Sequence, residues 1–246
     1  MANPKLRADL LLVEQGLAES RERAERLVMA GQVFLEKDGR REKLDKPGRM
    51  LPVSAVLSLN QPERFVSRGA YKLLSAIEHF ALEVSGRVAL DVGASTGGFT
   101  DCLLQHGAAK VYAVDVGKCQ LHEKMRADPR VVSLEGVNFR LATVELLPEL
   151  VDIVVIDVSF ISLTKILPAV KQFLKPGGVV VAMVKPQFEV ASHQTNKGVV
   201  RDEALRQWAV ERVREAAQEL GFAPGGVVPA GVKGPKGNQE YMLLLR

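Results

Sequence analysis

Leu90-Asp91-Val92-Gly93-Ala94-Ser95-Thr96-Gly97-Gly98-Phe99-Thr100 is the stretch that decides the fold of this chain. The apolar run over residues 88–92 predicts a buried strand. The small residues behind it admit only a tight turn that opens into a helix near Phe99. Glycine suits such a turn because a ligand has to approach the backbone closely, and the N–H groups at the helix start favour a polar or anionic group. A phosphate-binding loop would need Lys in place of Phe99, although Gly93, Gly98 and Thr100 fit its spacing. A dinucleotide fingerprint would need a second glycine where Ser95 stands.

Downstream, Gly107 closes the helix through Leu103 and Leu104, and Val111-Tyr112-Ala113-Val114-Asp115 predicts the next strand. A carboxylate at that strand end, one βαβ unit past the turn, can accept both ribose hydroxyls of an adenosine cofactor. The glycine turn, with an acid at its strand end, resembles motif I of S-adenosylmethionine (SAM) methyltransferases. That resemblance implies SAM as cofactor and Asp91, Gly93, Ser95, Thr96, Gly97, Gly98, Phe99, Asp115 and Asn138 as its binding residues.

Strand patterns at residues 88–92, 111–116, 131–134, 153–158 and 179–184 alternate with helices, which predicts a parallel sheet. Residues 175–178 form a tight entry to the fifth strand, and residues 201–220 are the longest amphipathic helix. Residues 225–230 and 241–245 would close the sheet as a final pair. The fold class is therefore α/β, a doubly wound, mostly parallel SAM-methyltransferase (Rossmann-like) sheet with a small N-terminal α+β domain. Its ligands are expected at the carboxyl ends of the strands.

The 246 residues, 47% of them hydrophobic, suffice for one ordinary core plus a small extra domain. No apolar run reaches the ~20 residues of a membrane helix, and the N-terminus has no apolar signal region, so a cytoplasmic protein is expected. Cys102 and Cys119 sit in unrelated contexts and argue for neither a disulfide framework nor zinc; no metal is expected. A net charge of +4 is compatible with a polyanionic partner.

Residues 1–60 predict a separate domain, residues 61–66 a polar linker, and residues 67–246 the catalytic domain. In the first, a short helix around Leu10-Leu11-Leu12-Val13 stops at Gly16. Ser20 caps a second helix bearing Arg21, Arg23 and Arg26, and Gly31 ends it before a strand at residues 32–35. A charged turn region follows, then a turn at residues 46–49 and a closing strand at 53–59. Ser20-Arg21, Ala24, Ala30-Gly31 and Val33 resemble the alpha-L RNA-binding domain of ribosomal protein S-four. The chain departs from it at Glu36-Lys37-Asp38-Gly39, where that family has Val-Asn-Gly, and these acids leave the domain only slightly basic. Helical spacing selects Arg7, Arg21 and Arg26 for phosphate contacts.

Three polar residues gather at the sheet edge: Asp157 after one apolar run, Lys185 after another, and Glu240 before the last strand. Lys72 belongs to the helix opened by Ser67-Arg68-Gly69-Ala70-Tyr71, off its apolar stripe of Leu73, Leu74, Ile77 and Phe80. Each alone has an ordinary structural reading. Together they resemble the Lys-Asp-Lys-Glu tetrad of FtsJ-like RNA 2′-O-methyltransferases. A ribose hydroxyl is a poor nucleophile and a sulfonium methyl an activated electrophile, so the protein must align the atoms and help a proton leave. On this reading Lys185, held by Asp157 and Glu240, is general base or alkoxide stabiliser, and Lys72 orients the hydroxyl. Flanking carboxylates favour the ammonium while burial and Lys72 oppose it, which leaves both roles open. In the following loop Phe188 suits either stacking on RNA or the core, and His193 is a loop histidine.

An alpha-L domain joined to an FtsJ-like domain resembles the TlyA family over nearly the whole chain. Ser67-Arg68-Gly69-Ala70-Tyr71-Lys72-Leu73, the glycine stretch, Asp157-Val158-Ser159-Phe160-Ile161-Ser162 and Lys185-Pro186-Gln187-Phe188-Glu189 carry that likeness. It implies SAM-dependent methylation of a cytidine 2′-hydroxyl in ribosomal RNA or ribosomal subunits, without membrane or obligate protein partner. The rivals are a catalytically idle RNA-binding assembly factor and a membrane-active haemolysin. The haemolysin would need an amphipathic or spanning segment and an export route.

Overall fold

The computed structural model describes residues 4–60, 64–234 and 236–246. Of the expected linker, residues 61–63 lie outside the described residues. The chain divides into two compact units, Met1–Arg64 and Phe65–Arg246.

In the first unit, β1 (Lys5–Arg7) leads into α1 (Ala8–Glu14) and α2 (Arg21–Met29), followed by β2 (Val33–Lys37), β3 (Arg40–Lys43), β4 (Met50–Pro52) and β5 (Val56–Leu59). Ser20 caps α2 by accepting from the Arg23 N–H, which satisfies one of the four orphan donors at the helix start. Leu11, Leu12, Ala24, Val28, Val33, Leu44 and Leu57 form its core. The expected closing strand at 53–59 is shorter, Val56–Leu59, and a further strand, Met50–Pro52, precedes it. Met50–Pro52 pairs with Lys5–Arg7, while Val56–Leu59 pairs with β2. The charged region after β2 is itself a strand, β3, exposed along its whole length and held by backbone pairing to β2.

The second unit runs α3 (Ala70–Phe80), β6 (Val88–Val92), α4 (Gly98–Gln105), β7 (Lys110–Asp115), α5 (Glu123–Ala127), β8 (Val131–Glu135), β9 (Val151–Ile156), α6 (Leu167–Val170), β10 (Leu174–Val184), α7 (Pro186–Glu189), α8 (Glu203–Glu219), β11 (Pro224–Pro229) and β12 (Tyr241–Leu245). Its seven-stranded sheet has the order β11-β12-β10-β9-β6-β7-β8. Strands β8, β7, β6, β9 and β10 are parallel, and β12 runs antiparallel to both β10 and β11.

Alternation along the strands sends side chains to two faces. Val180, Ala182 and Val184 join Leu167, Val170, Val210 and Val213 on one face. Val181 and Met183 join Leu73, Ile77, Phe99 and Leu103 on the other. Both faces are therefore covered by helices, which is why these strands read as continuous apolar runs. The tight entry at residues 175–178 lies inside β10, as a register shift between the Leu174–Val151 and Val179–Ile153 pairs. β6 lies between β7 and β9, so the chain reverses its winding there and leaves a crevice at the carboxyl ends.

Candidate active site

The glycine turn follows β6 directly. Gly93 has φ +87°, and a Cβ there would lie 2.5 Å from the carbonyl oxygen of Asp157. Only a residue without a side chain lets the two strand ends approach this closely. Gly97, at φ +90°, would bring a Cβ within 2.8 Å of Leu121 and Met125. Asp115, at the tip of β7, accepts from the Ser95 N–H at 2.8 Å and from the Gly117 N–H at 2.7 Å. Gly93, Ser95, Asp115 and the exposed Asn138 line a crevice of about 520 Å³. Ser95, Thr96, Gly98 and Phe99 line a smaller hollow of about 180 Å³ together with Asp157 and Lys185.

Asp91 and Gly97 line neither space. Asp91 is fully buried, and its Oδ2 accepts from Thr100 Oγ1 at 2.7 Å. Its Oδ1 is buried without a hydrogen-bond partner among the described residues. Burial raises its pKa to about 7, against the lowering effect of the Thr100 bond.

A third cavity, of about 480 Å³, holds the four remaining candidates. Lys72 Nζ donates to Glu240 Oε2 at 2.6 Å, with the two side chains 10% and 2% exposed. Lys185 Nζ donates to Ser159 Oγ at 2.8 Å. It also lies 2.6 Å from Asp157 Oδ1, a charge contact without hydrogen-bond angles. Strand register explains the convergence. Val184 pairs with Tyr241 and Ala182 with Ile156, so Lys185, Glu240 and Asp157 leave adjacent strands at one edge. Glu240 takes Lys72 as its partner, where the sequence suggested Lys185. Lys72 is buried rather than solvated, because the segment leading into β12 covers that flank of α3.

Sequence reasoning did not select four further residues. Ser159 supplies the hydrogen-bond acceptor for Lys185. Gln187 Nε2 donates to Glu240 Oε1 at 3.1 Å. Phe160 is 91% exposed at φ +64°, with its ring 5.1 Å from that of Phe188, which is half-buried. Glu189 is buried; it accepts from Ser162 Oγ at 2.5 Å and from the Leu163 N–H at 2.8 Å, which ties the segment after β9 to the one after β10. Burial raises its pKa. The available signal for all four was their position within five residues of a strand end that carries a candidate.

In the first unit, Arg7 Nη2 donates to the buried Asp9 at 2.6 Å, and Arg21 Nε to the same oxygen at 3.3 Å. Two of the three arginines selected for phosphate contact are thus partly engaged inside their own unit. Arg26 is exposed.

The sheet order, the glycine turn and the strand-end acids define the SAM-methyltransferase fold. A SAM-dependent methyltransferase from Mesorhizobium loti shares it, with a TM-score of 0.52 at 16% identity over 71% of this chain and 97% of that one. Residues 65–246 match the FtsJ-like methyltransferase family. The 16S/23S rRNA (cytidine-2′-O)-methyltransferase TlyA of Mycobacterium tuberculosis (strain ATCC 25618 / H37Rv) is 46% identical over 245 residues, 98% of this chain and 90% of that protein. A solved protein of Streptococcus thermophilus, provisionally called a hemolysin, has 46% identity and a TM-score of 0.74, covering 99% of this chain and 89% of that one. The chain belongs to the FtsJ-like methyltransferase family and, within it, to the TlyA group. Among the described residues no helix is long and apolar enough to cross a membrane.

Proposed function

We propose that this chain transfers a methyl group from SAM to the 2′-hydroxyl of a cytidine in ribosomal RNA. The observation that carries this reading is the pairing of two lysines with two carboxylates in one cavity. One of those pairs, Lys185 with Asp157, also lines the hollow beside the glycine turn. Cytidine and ribosomal RNA come from the activity named for the mycobacterial relative.

The residues present fit the cofactor. Gly93 keeps the turn free of side chain, and Asp115 is a strand-end acceptor for ribose hydroxyls. Asp115 and Asn138 would hold the adenosine end, and Ser95, Thr96, Gly98 and Phe99 the methionine end. When bound, SAM supplies a methyl group already activated by its sulfonium.

What remains for the protein is to align a weak nucleophile and receive its proton. Lys185 and Lys72 direct N–H groups to the hydroxyl oxygen and stabilise the charge that builds there. The proton passes to Asp157, the carboxylate beside Lys185. Ser159 and Glu240 hold the two lysines, and Phe160 and Phe188 give the displaced base a stacking surface. In the first unit, Arg26 remains the candidate phosphate contact, with Arg7 and Arg21 contributing the charge their carboxylate partners leave.

The test uses the full chain, SAM labelled in its methyl group, and ribosomal RNA. The unaltered protein labels the RNA at a cytidine 2′-oxygen. Lys185→Ala labels nothing yet still binds SAM. Retained labelling in that variant overturns the assignment, and SAM binding by the unaltered protein without labelling would favour the assembly-factor reading.

A further inference from the structure

A groove of about 880 Å³ shares Phe160, Gln187 and Phe188 with the ion-paired cavity and continues away from it along α8. Three cations from three separate segments line it: Arg140, Lys165 and Arg212. Arg140 and Lys165 are exposed. The single carboxylate on its wall is Glu189, which is buried, accepts from Ser162 and Leu163, and lies 3.9 Å from Arg212 Nη1, so it offsets the charge of Arg212. The groove therefore presents the charges of Arg140 and Lys165 with no exposed acid on its wall to offset them. Trp208 also lines it, 50% exposed, with the Arg212 guanidinium over its ring at 5.6 Å from the centroid. The methyl-transfer chemistry and the core have no use for a tryptophan in water.

Aromatic faces interleaved with cations along a channel are what single-stranded nucleic acid requires: bases stack and phosphates are neutralised, without reading of base edges. We propose that this groove holds the nucleotide adjoining the one that enters the ion-paired cavity, with its base against Trp208 and its phosphates against Arg140 and Lys165. The identity of the polymer as RNA rests on the function proposed above. The position of the groove agrees with that function, because a strand whose target sugar lies in the ion-paired cavity must leave through a neighbouring wall, and the two spaces share Phe160, Gln187 and Phe188.

Trp208 is the one tryptophan of the chain, so its emission reports on this groove alone. Titrating the full chain with ribosomal RNA quenches it. Trp208→Ala raises the RNA dissociation constant about 5- to 160-fold, the range of one lost base stack, and Trp208→Phe restores most of the affinity. Arg140→Gln with Lys165→Gln lowers the salt dependence of log K by about 1.4, two single-strand phosphate contacts at ~0.7 each. In both sets KM for RNA rises while kcat and SAM affinity hold. Absent quenching, or Trp208→Ala and the double variant both binding RNA as the unaltered protein does, overturns the groove. Failure of the unaltered protein to methylate RNA, with quenching intact, counts against the proposed activity and not against the groove.

Discussion

Replacing Glu240 by Ala strands the ammonium of Lys72 in a site from which water is almost excluded. The two groups lie 2.6 Å apart, and their side chains are 10% and 2% exposed. Water cannot take over the solvation that Glu240 provides, so the loss belongs to the class of half-broken buried ion pairs, about 3–5 kcal/mol. Gln187 loses its acceptor in the same change, which moves the expectation to the upper half of that range. Lys72→Met combined with Glu240→Gln removes both charges at nearly constant volume and should recover at least ~2 kcal/mol relative to the sum of the single changes. Urea unfolding followed by Trp208 emission reads the second unit directly, since Trp208 lies on α8. Glu240→Ala, the two single changes and the double variant should all lack methyl transfer, and the double variant separates lost chemistry from lost fold. A Glu240→Ala protein within ~1 kcal/mol of the parent, or a double variant that loses the plain sum, would refute the buried pair.

Gly93→Ala places a Cβ 2.5 Å from a backbone oxygen at φ +87°, and titration calorimetry should find SAM affinity at least about tenfold lower as the Asp157 segment is pushed away. The pKa of Asp91, raised to about 7 by burial, gives the folded state a proton that the unfolded chain has already released between about pH 4 and 7. Stability therefore falls as pH rises through that window and stays lower above it; Asp91→Asn should flatten the slope of denaturation midpoints between pH 5 and pH 8. Asp9 behaves oppositely: the Arg7 hydrogen bond holds its pKa below the usual value, so its contribution is present above about pH 4 and is lost as pH falls through the folded value. Asp9→Ala should cost about 1–3 kcal/mol and speed proteolysis within residues 4–60 of the full chain.

Periodicity made the second unit legible because its strands are buried on both faces and its turns carry glycine, so each element announced itself locally. β3 and β1 were not legible. Arg40–Lys43 is exposed throughout and Lys5–Arg7 is three residues long, so backbone pairing alone makes them strands. Among the candidate catalytic residues, strand-end position found Asp157, Lys185 and Glu240, but which acid meets which lysine depends on how α3 packs against the segment before β12. That is tertiary information, and it reassigned Glu240 to Lys72. Asp9 escaped notice for the same reason, being an acid in the first turn of a helix whose burial no local pattern signals.

Lys72 and Glu240 are 168 residues apart in the chain, and the strand that delivers Glu240 is wedged between β10 and β11 rather than added at a margin. A nascent chain thus exposes its glycine turn and both strand-end residues, Asp157 and Lys185, well before Lys72 can be neutralised. Assembly of the ion-paired cavity is gated by the arrival of β12, so a partly made or C-terminally nicked polypeptide would carry the crevice beside the glycine turn while Lys72 lacks its carboxylate.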